Sequence, residues 1–338
     1  MKTLKFILSL WSVFLGAVVG AGFLSGSELV VFLGGNDFKF IILSGVLFIV
    51  ALIPLYGLSY KYSNLPLAVE KSTGCKKAYK VSVTLSAFIF FTAMLAGLDA
   101  LGQTFGLNFP LFSLSAILVV LSLARYGIGG LEKLNAILMP IVIVLVNVVI
   151  LRGKFSYVPS TSTSNVGNVF LYVTMNVFVS APALFSTAQG KSKKVLFISA
   201  ILSAVTLCVE AYLITSKIYS VKGAKIAHLP LLVATDGKGK YALFTALLLG
   251  TLTSLACAFH PVYEYTKNSC KGFGAVIACA FSFALSRIGL SAVVKYLYPL
   301  IGGVGAAFII GLGIGFIREL IYERKRKDGR KFARQTKR

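Results

Sequence analysis

Apolar runs separated by short polar loops recur along the whole chain. Many reach the ~18–20 residues that an α-helix needs to cross a hydrocarbon core of ~30 Å. Ten spans are predicted, at 5–33, 38–60, 79–105, 110–125, 132–151, 166–189, 194–216, 241–262, 272–287 and 292–316. The fourth and ninth are shorter than the rest. The opening stretch MKTLKFILSLWSVFLGAVVGAG has the make-up of a secretory signal. The apolar pattern resumes through Leu29–Leu33, so a retained first helix is predicted.

Two of these spans carry helix breakers near their middles. Gly20-Ala21-Gly22 interrupts the first, and Pro182 interrupts the sixth, 162 residues later. A broken membrane helix frees backbone N–H and C=O groups, which in lipid costs several kcal/mol per group. The breaks must therefore face protein, ligand or water. Shifting the second half back by 162 also brings Arg287-Ile288-Gly289-Leu290 onto Arg125-Tyr126-Gly127-Ile128, with Val293 and Lys295 on Leu131 and Lys133. Five spans per copy is odd, so the second copy enters the membrane from the opposite side. The prediction is a 5+5 inverted repeat with helices 1 and 6 broken: residues 1–152, residues 163–317, and a basic tail, 318–338, expected to be disordered.

Composition supports the membrane reading. The chain is 57% hydrophobic and 13% charged, against about 25% charged in soluble domains. No loop is long enough for a separate domain of ordinary size. The net charge of +23 would point to nucleic acid in a soluble protein. Here 24 of the 34 Lys and Arg fall on one set of alternate loops and the tail. By the positive-inside rule this predicts both termini in the cytoplasm, an even number of spans and a cell-membrane location, with lipid rather than nucleic acid as partner. The tail is read as a topology determinant, with anionic head groups as its alternative contact. The five cysteines show no CxxC or metal spacing, and Cys208, Cys257 and Cys279 read as core residues.

The candidate chemistry gathers at the breaks. Val19, Gly20, Ala21, Gly22, Phe23 and Ser25 offer small residues and freed backbone, and a half-helix starting near Phe23–Ser25 would present its N-terminus to a carboxylate. Asn176 and Ser180 flank Pro182 on the partner span. Three intramembrane acids, Glu28, Asp99 and Glu210, each lie ~10 Å from the midpoint of their span. They are read as acids of one external vestibule or as proton carriers. Gln103 and Asn147 read as interhelical hydrogen bonders. His260 and Glu264 sit at i,i+4 but lack further ligands, so no metal site is predicted. Gly311, Gly313 and Gly315 lie inside an apolar helix and do not form a nucleotide loop. His228 to Lys240 is read as an outer loop that could hold a short lid helix.

The stretch GAVVGAGFLSGSELVVFLG resembles the first helix of the YkvI-like bacterial membrane proteins of the amino acid–polyamine–organocation transporter superfamily. By span order the likeness covers nearly the whole chain; by motif it covers the first helix and, more loosely, the sixth. It implies the leucine-transporter (LeuT) fold, with a substrate site between the broken helices at Val19–Phe23, Ser25, Asn176, Ser180 and Pro182. It also implies a sodium site built from carbonyls of Gly16, Val19 and Gly250 and hydroxyls of Thr253 and Ser254. Some proton-coupled relatives place a lysine mid-fifth helix, and here Lys133 is at the helix start. The function implied is a secondary active transporter of an amino acid or similar small organic solute, coupled to Na⁺ or H⁺, with no other cofactor. The alternative is a sensor or receptor subunit of the same fold without transport. No nucleophile–base constellation supports an enzyme.

Overall fold

The long helices carry apolar stripes that no other part of the protein covers. Ile42, Val46, Val50 and Ile53 are exposed at three- and four-residue spacing on one helix, and Ile137, Ile141, Val144 and Val148 on another. Such stripes are stable against hydrocarbon and not against water. They belong to a computed structural model that describes residues 2–107, 110–152, 164–235, 237, 239–267 and 273–335. Among these residues no strand occurs. Seven helices are long and apolar enough to cross a membrane, and three shorter apolar helices, Thr3–Val18, Leu111–Ala124 and Gly274–Ile288, accompany them.

The first predicted span forms three pieces, α1 (Lys2–Val18), α2 (Ala21–Ser25) and α3 (Ser27–Phe32). Then follow α4 (Phe38–Ser59), the amphipathic α5 (Leu65–Thr73), α6 (Lys76–Thr104), α7 (Leu111–Ala124) and α8 (Gly127–Arg152). The second half holds α9 (Val166–Ala188), α10 (Lys193–Tyr219), the short α11 (Pro230–Val233), α12 (Gly239–Thr266) and α13 (Gly274–Leu285). It ends with α14 (Leu290–Ala292), a π-helical turn (Val293–Leu297) and α15 (Tyr298–Gln335). Capping follows the local sequence. The side chains of Asn64, Asn165 and Ser192 accept from backbone N–H groups three residues on and start α5, α9 and α10.

About two-thirds or more of the most apolar stretch of α6, α9 and α12 is buried, against one-third in α8 and α15. Helix α1 runs among α8, α9, α10 and α12, α2 packs against α6 and α12, and α3 against α9, while α4, α8, α10 and α15 are the less buried long helices. The 162-residue shift carries α6 onto 238–266 and α7 onto 273–286, within a residue of α12 and α13. It also carries Gly127 onto Gly289, and both turn with positive φ, +58° and +92°. The start of the second repeat at 163 lies outside the described residues.

Two expectations are corrected. The sixth span is not broken, because α9 runs through Pro182 without interruption. Proline removes one N–H, but the surrounding turns keep their geometry, and Ser180 Oγ donates to the Val177 carbonyl and Ser186 Oγ to the Pro182 carbonyl, at 3.2 and 3.0 Å. The basic tail is not irregular over 318–335, since α15 continues through Gln335. An existing helix extends without a new nucleus, and Lys, Arg and Glu are good helix formers. Glu319 anchors the start of this extension by accepting from Lys61 and Tyr62.

Close packing of α9 on α15 makes a test. A Cβ at Gly305 would stand 2.5 Å from the Thr174 carbonyl oxygen, whereas one at Gly303 would meet nothing within 4 Å. Gly305→Ala is expected to lower stability by ~1–3 kcal/mol. Gly303→Ala should leave it unchanged or raise it by up to ~1 kcal/mol. Thermal unfolding of the purified protein in detergent measures both, and equal effects would show that the two helices do not pack backbone to backbone.

Candidate functional site

Helix α1 ends at Val18, and Val19 and Gly20 leave helical geometry, with Gly20 at φ −100° and ψ −163°. The sequence unwinds here because Gly20 and Gly22 give up little by leaving a helix. Neighbouring helices press against the turn. A Cβ at Gly20 would fall 2.5 Å from Met94 Sδ and 2.8 Å from Ser254 Oγ, and Ala21 lies where a side chain at Gly97 of α6 would stand. The Ala21 N–H donates to Met94 Sδ at 3.4 Å.

The residues named for a cation converge here. Ser254 Oγ donates to the Gly16 carbonyl at 2.8 Å, and Thr253 Oγ1 to the Gly250 carbonyl at 2.7 Å. A Cβ at Gly250 would stand 3.0 Å from the Val19 carbonyl oxygen. Thr253 and Ser254 are fully buried. Ser254 and Gly250 of α12 thus meet the Gly16 and Val19 carbonyls of the turn, while Thr253 bonds its own helix and faces Met139 Sδ of α8 at 3.4 Å; none of these groups carries a formal charge. Sequence reasoning passed over Asn135 of α8. Its Oδ1 lies 2.4 Å from where a Gly16 Cβ would be and has no hydrogen-bond partner, while its Nδ2 donates to Cys257 Sγ at 3.4 Å. Its only signal was an amide in an apolar span.

Helix α9 contributes side chains rather than freed backbone. Asn176 Nδ2 donates to the Tyr172 carbonyl at 2.9 Å, and its Oδ1 has no hydrogen-bond partner. Pro182 lies on the wall of a cavity of about 530 Å³ that also touches Tyr79, Ser186, His260 and Glu264. The cavity is at the end of the bundle carrying Asn64, Lys80 and Gly127, on the side richer in Lys and Arg. A second cavity, about 240 Å³, lies away from the break, between α4, α10 and α15. Over the other end of the break, α11 of the 228–240 loop packs against α2.

The three acids do not line one vestibule, because each is buried or held by different neighbours. Asp99 accepts from Ser113 Oγ at 2.6 Å and from Arg287 at 2.8 Å, joining α6, α7 and the end of α13. Glu210 is buried and accepts from Asn147 Nδ2 at 2.7 Å. Glu28 is fully buried on α3. The expected half-helix from Phe23 onward is also revised. Gly26, at φ +81°, ends α2 after five residues, and α3 begins beyond it. Glu28 Oε1 lies 1.9 Å from where a Gly22 Cβ would stand. The chain's own acid thus lies against the segment expected to receive a carboxylate, and Ser25 and Ser27 donate to the Gly22 carbonyl at 3.2 and 3.3 Å.

Comparison with protein-family models and with curated proteins finds no match. The fold by itself defines an all-α, multi-pass membrane protein.

Contact between Glu28 and Gly22 is open to a double-mutant cycle. Gly22→Ala should destabilise by ~1–3 kcal/mol when Glu28 is present, and much less in a Glu28→Ala background. A coupling of about 1 kcal/mol or more is expected. Strictly additive effects would separate the two residues.

Proposed function

We propose that the chain is a secondary active transporter of a small organic solute, an amino acid or similar, coupled to Na⁺ or H⁺. The approach of Ser254 and Gly250 of α12 to the Gly16 and Val19 carbonyls at the unwound turn, with the Thr253 hydroxyl next in sequence, carries this reading. A neutral set of hard oxygen donors suits a monovalent alkali cation. An unwound turn beside it supplies the backbone groups a solute needs.

The coincidence of helix bounds under one shift supports two inverted five-helix repeats and a leucine-transporter-like fold. It is also what the YkvI-like resemblance of the first helix implies. The Lys and Arg asymmetry supports cytoplasmic termini in the cell membrane. On that orientation the cavity touching Pro182 opens to the cytoplasm and α11 covers the outer side, as in an inward-facing state of an alternating-access cycle. One observation favours the sensor alternative: α9 is continuous, so only one of the two central helices offers freed backbone.

The test begins with purified protein. Na⁺ at constant ionic strength should raise the unfolding temperature, since a ligand bound only by the folded state stabilises it. Thr253→Ala and Ser254→Ala should each weaken that response at least about tenfold, which is ~1.4 kcal/mol of binding. An unchanged response in both variants would remove the cation site. Uptake of any stabilising solute by proteoliposomes then decides between the readings, and binding without flux under every imposed gradient would leave the sensor.

A further inference from the structure

Three buried polar side chains on neighbouring elements lack hydrogen-bond partners. Both carboxylate oxygens of Glu28 and the hydroxyls of Tyr172 and Tyr298 have no hydrogen-bond partner among the described residues. The three residues are 0%, 1% and 0% exposed. They come from α3, α9 and the start of α15, and α3 packs against α9 and against the π-helical turn that leads into α15. Phe32 packs against the Tyr172 ring, and Phe90 stacks on Tyr298 at 5.4 Å, which fixes both rings.

Among the described residues, no cation from the surrounding elements pairs with Glu28. On α2 there is no titratable residue, and on α9 Tyr172 is the only one. Helix α10 meets this segment through Ile214 and Ile218, which lie against Gly26. Its Glu210 is held by Asn147, its Cys208 donates to the Ile41 carbonyl, and its Tyr219 donates to the Gly34 carbonyl. Its Tyr212 ring packs on Phe38, and its buried Lys217 has an interaction of its own. The π-helical turn contributes Lys295 and Tyr296, both exposed, with the Lys295 ammonium over the Tyr296 ring.

We propose that Glu28 is a proton-binding site that holds α3 against α9 and the π-helical turn. An unpaired carboxylate in such a setting costs several kcal/mol. One proton taken from solvent converts it to a neutral acid. The proton returns to solvent when α3 separates and water reaches the charge. A proton is the ligand that fits, because the three residues are closed to solvent and Glu28 already touches Gly22. This deepens the proton arm of the proposed coupling and rests on that reading only for its link to transport.

The full-length protein in lipid bilayers is examined by infrared difference spectroscopy and amide hydrogen exchange between about pH 4 and pH 9. A carboxylic-acid C=O band that titrates in this range is expected in the wild type and absent in Glu28→Gln. After correction for intrinsic exchange, α3 amides should exchange at least about tenfold faster at high pH than at low pH, the cost of one unsatisfied buried group. In Glu28→Gln they should stay protected throughout. A titrating band that survives in Glu28→Gln, or α3 protection that ignores pH in the wild type, would overturn the site. The band with no flux in proteoliposomes would keep the proton site and remove the transporter reading; flux without the band would do the reverse.

Discussion

The constraint on which the structure depends is that a bilayer offers no hydrogen bonds to a peptide backbone. Every segment at membrane depth must satisfy its own N–H and C=O groups or borrow partners from protein. The unwound turn at Val19–Gly20 is tolerable because it is sealed between α6 and α12. Ser254 supplies a hydroxyl to the Gly16 carbonyl, and Met94 supplies a weak sulfur acceptor to the Ala21 N–H. Lipid contact falls instead to outer helices such as α4 and α8, through the stripes of Ile42–Ile53 and Ile137–Val148.

The same constraint explains why the two helix breakers behave differently. Glycine lowers the cost of leaving helical geometry over several residues, and Gly16, Gly20 and Gly22 all fall within this stretch. Proline removes one donor and adds one steric clash, which a single turn absorbs by bending. Helix α9 therefore remains a continuous post, and α1–α3 is the element with freedom to rearrange. Among the buried polar atoms without a hydrogen-bond partner, those of Asn135, Asn176, Tyr172 and Tyr298 lie on helices around that element and those of Glu28 on α3 itself, while others, at Tyr56, Ser203 and Ser282, lie elsewhere in the bundle.

Span positions were legible from residue order, because spanning length and hydrophobicity follow from bilayer thickness alone. Observed bounds of α4, α7 and α9 differ from the expected ones by a residue or two. The 162-residue offset matches α6 to α12, α7 to α13 and the turn at Gly127 to that at Gly289, but not the break at Gly20 to Pro182, where α9 is continuous. The residues of the oxygen cluster came from a family resemblance, not from composition or spacing. Tyr172 and Tyr298 carried no sequence signal, because a tyrosine in an apolar helix reads as a core aromatic.

Sequence by itself determined the membrane class, the spans and the place where the first helix unwinds, since these depend on local hydrophobicity and backbone propensity. Tertiary structure decided which groups meet. It set Asp99 on Arg287, Glu210 on Asn147 and Glu28 against Gly22, although all three acids looked alike along the chain. A carboxylate's role depends on what lies within a few ångströms, and for these residues every such neighbour beyond Gly22 is supplied by another helix.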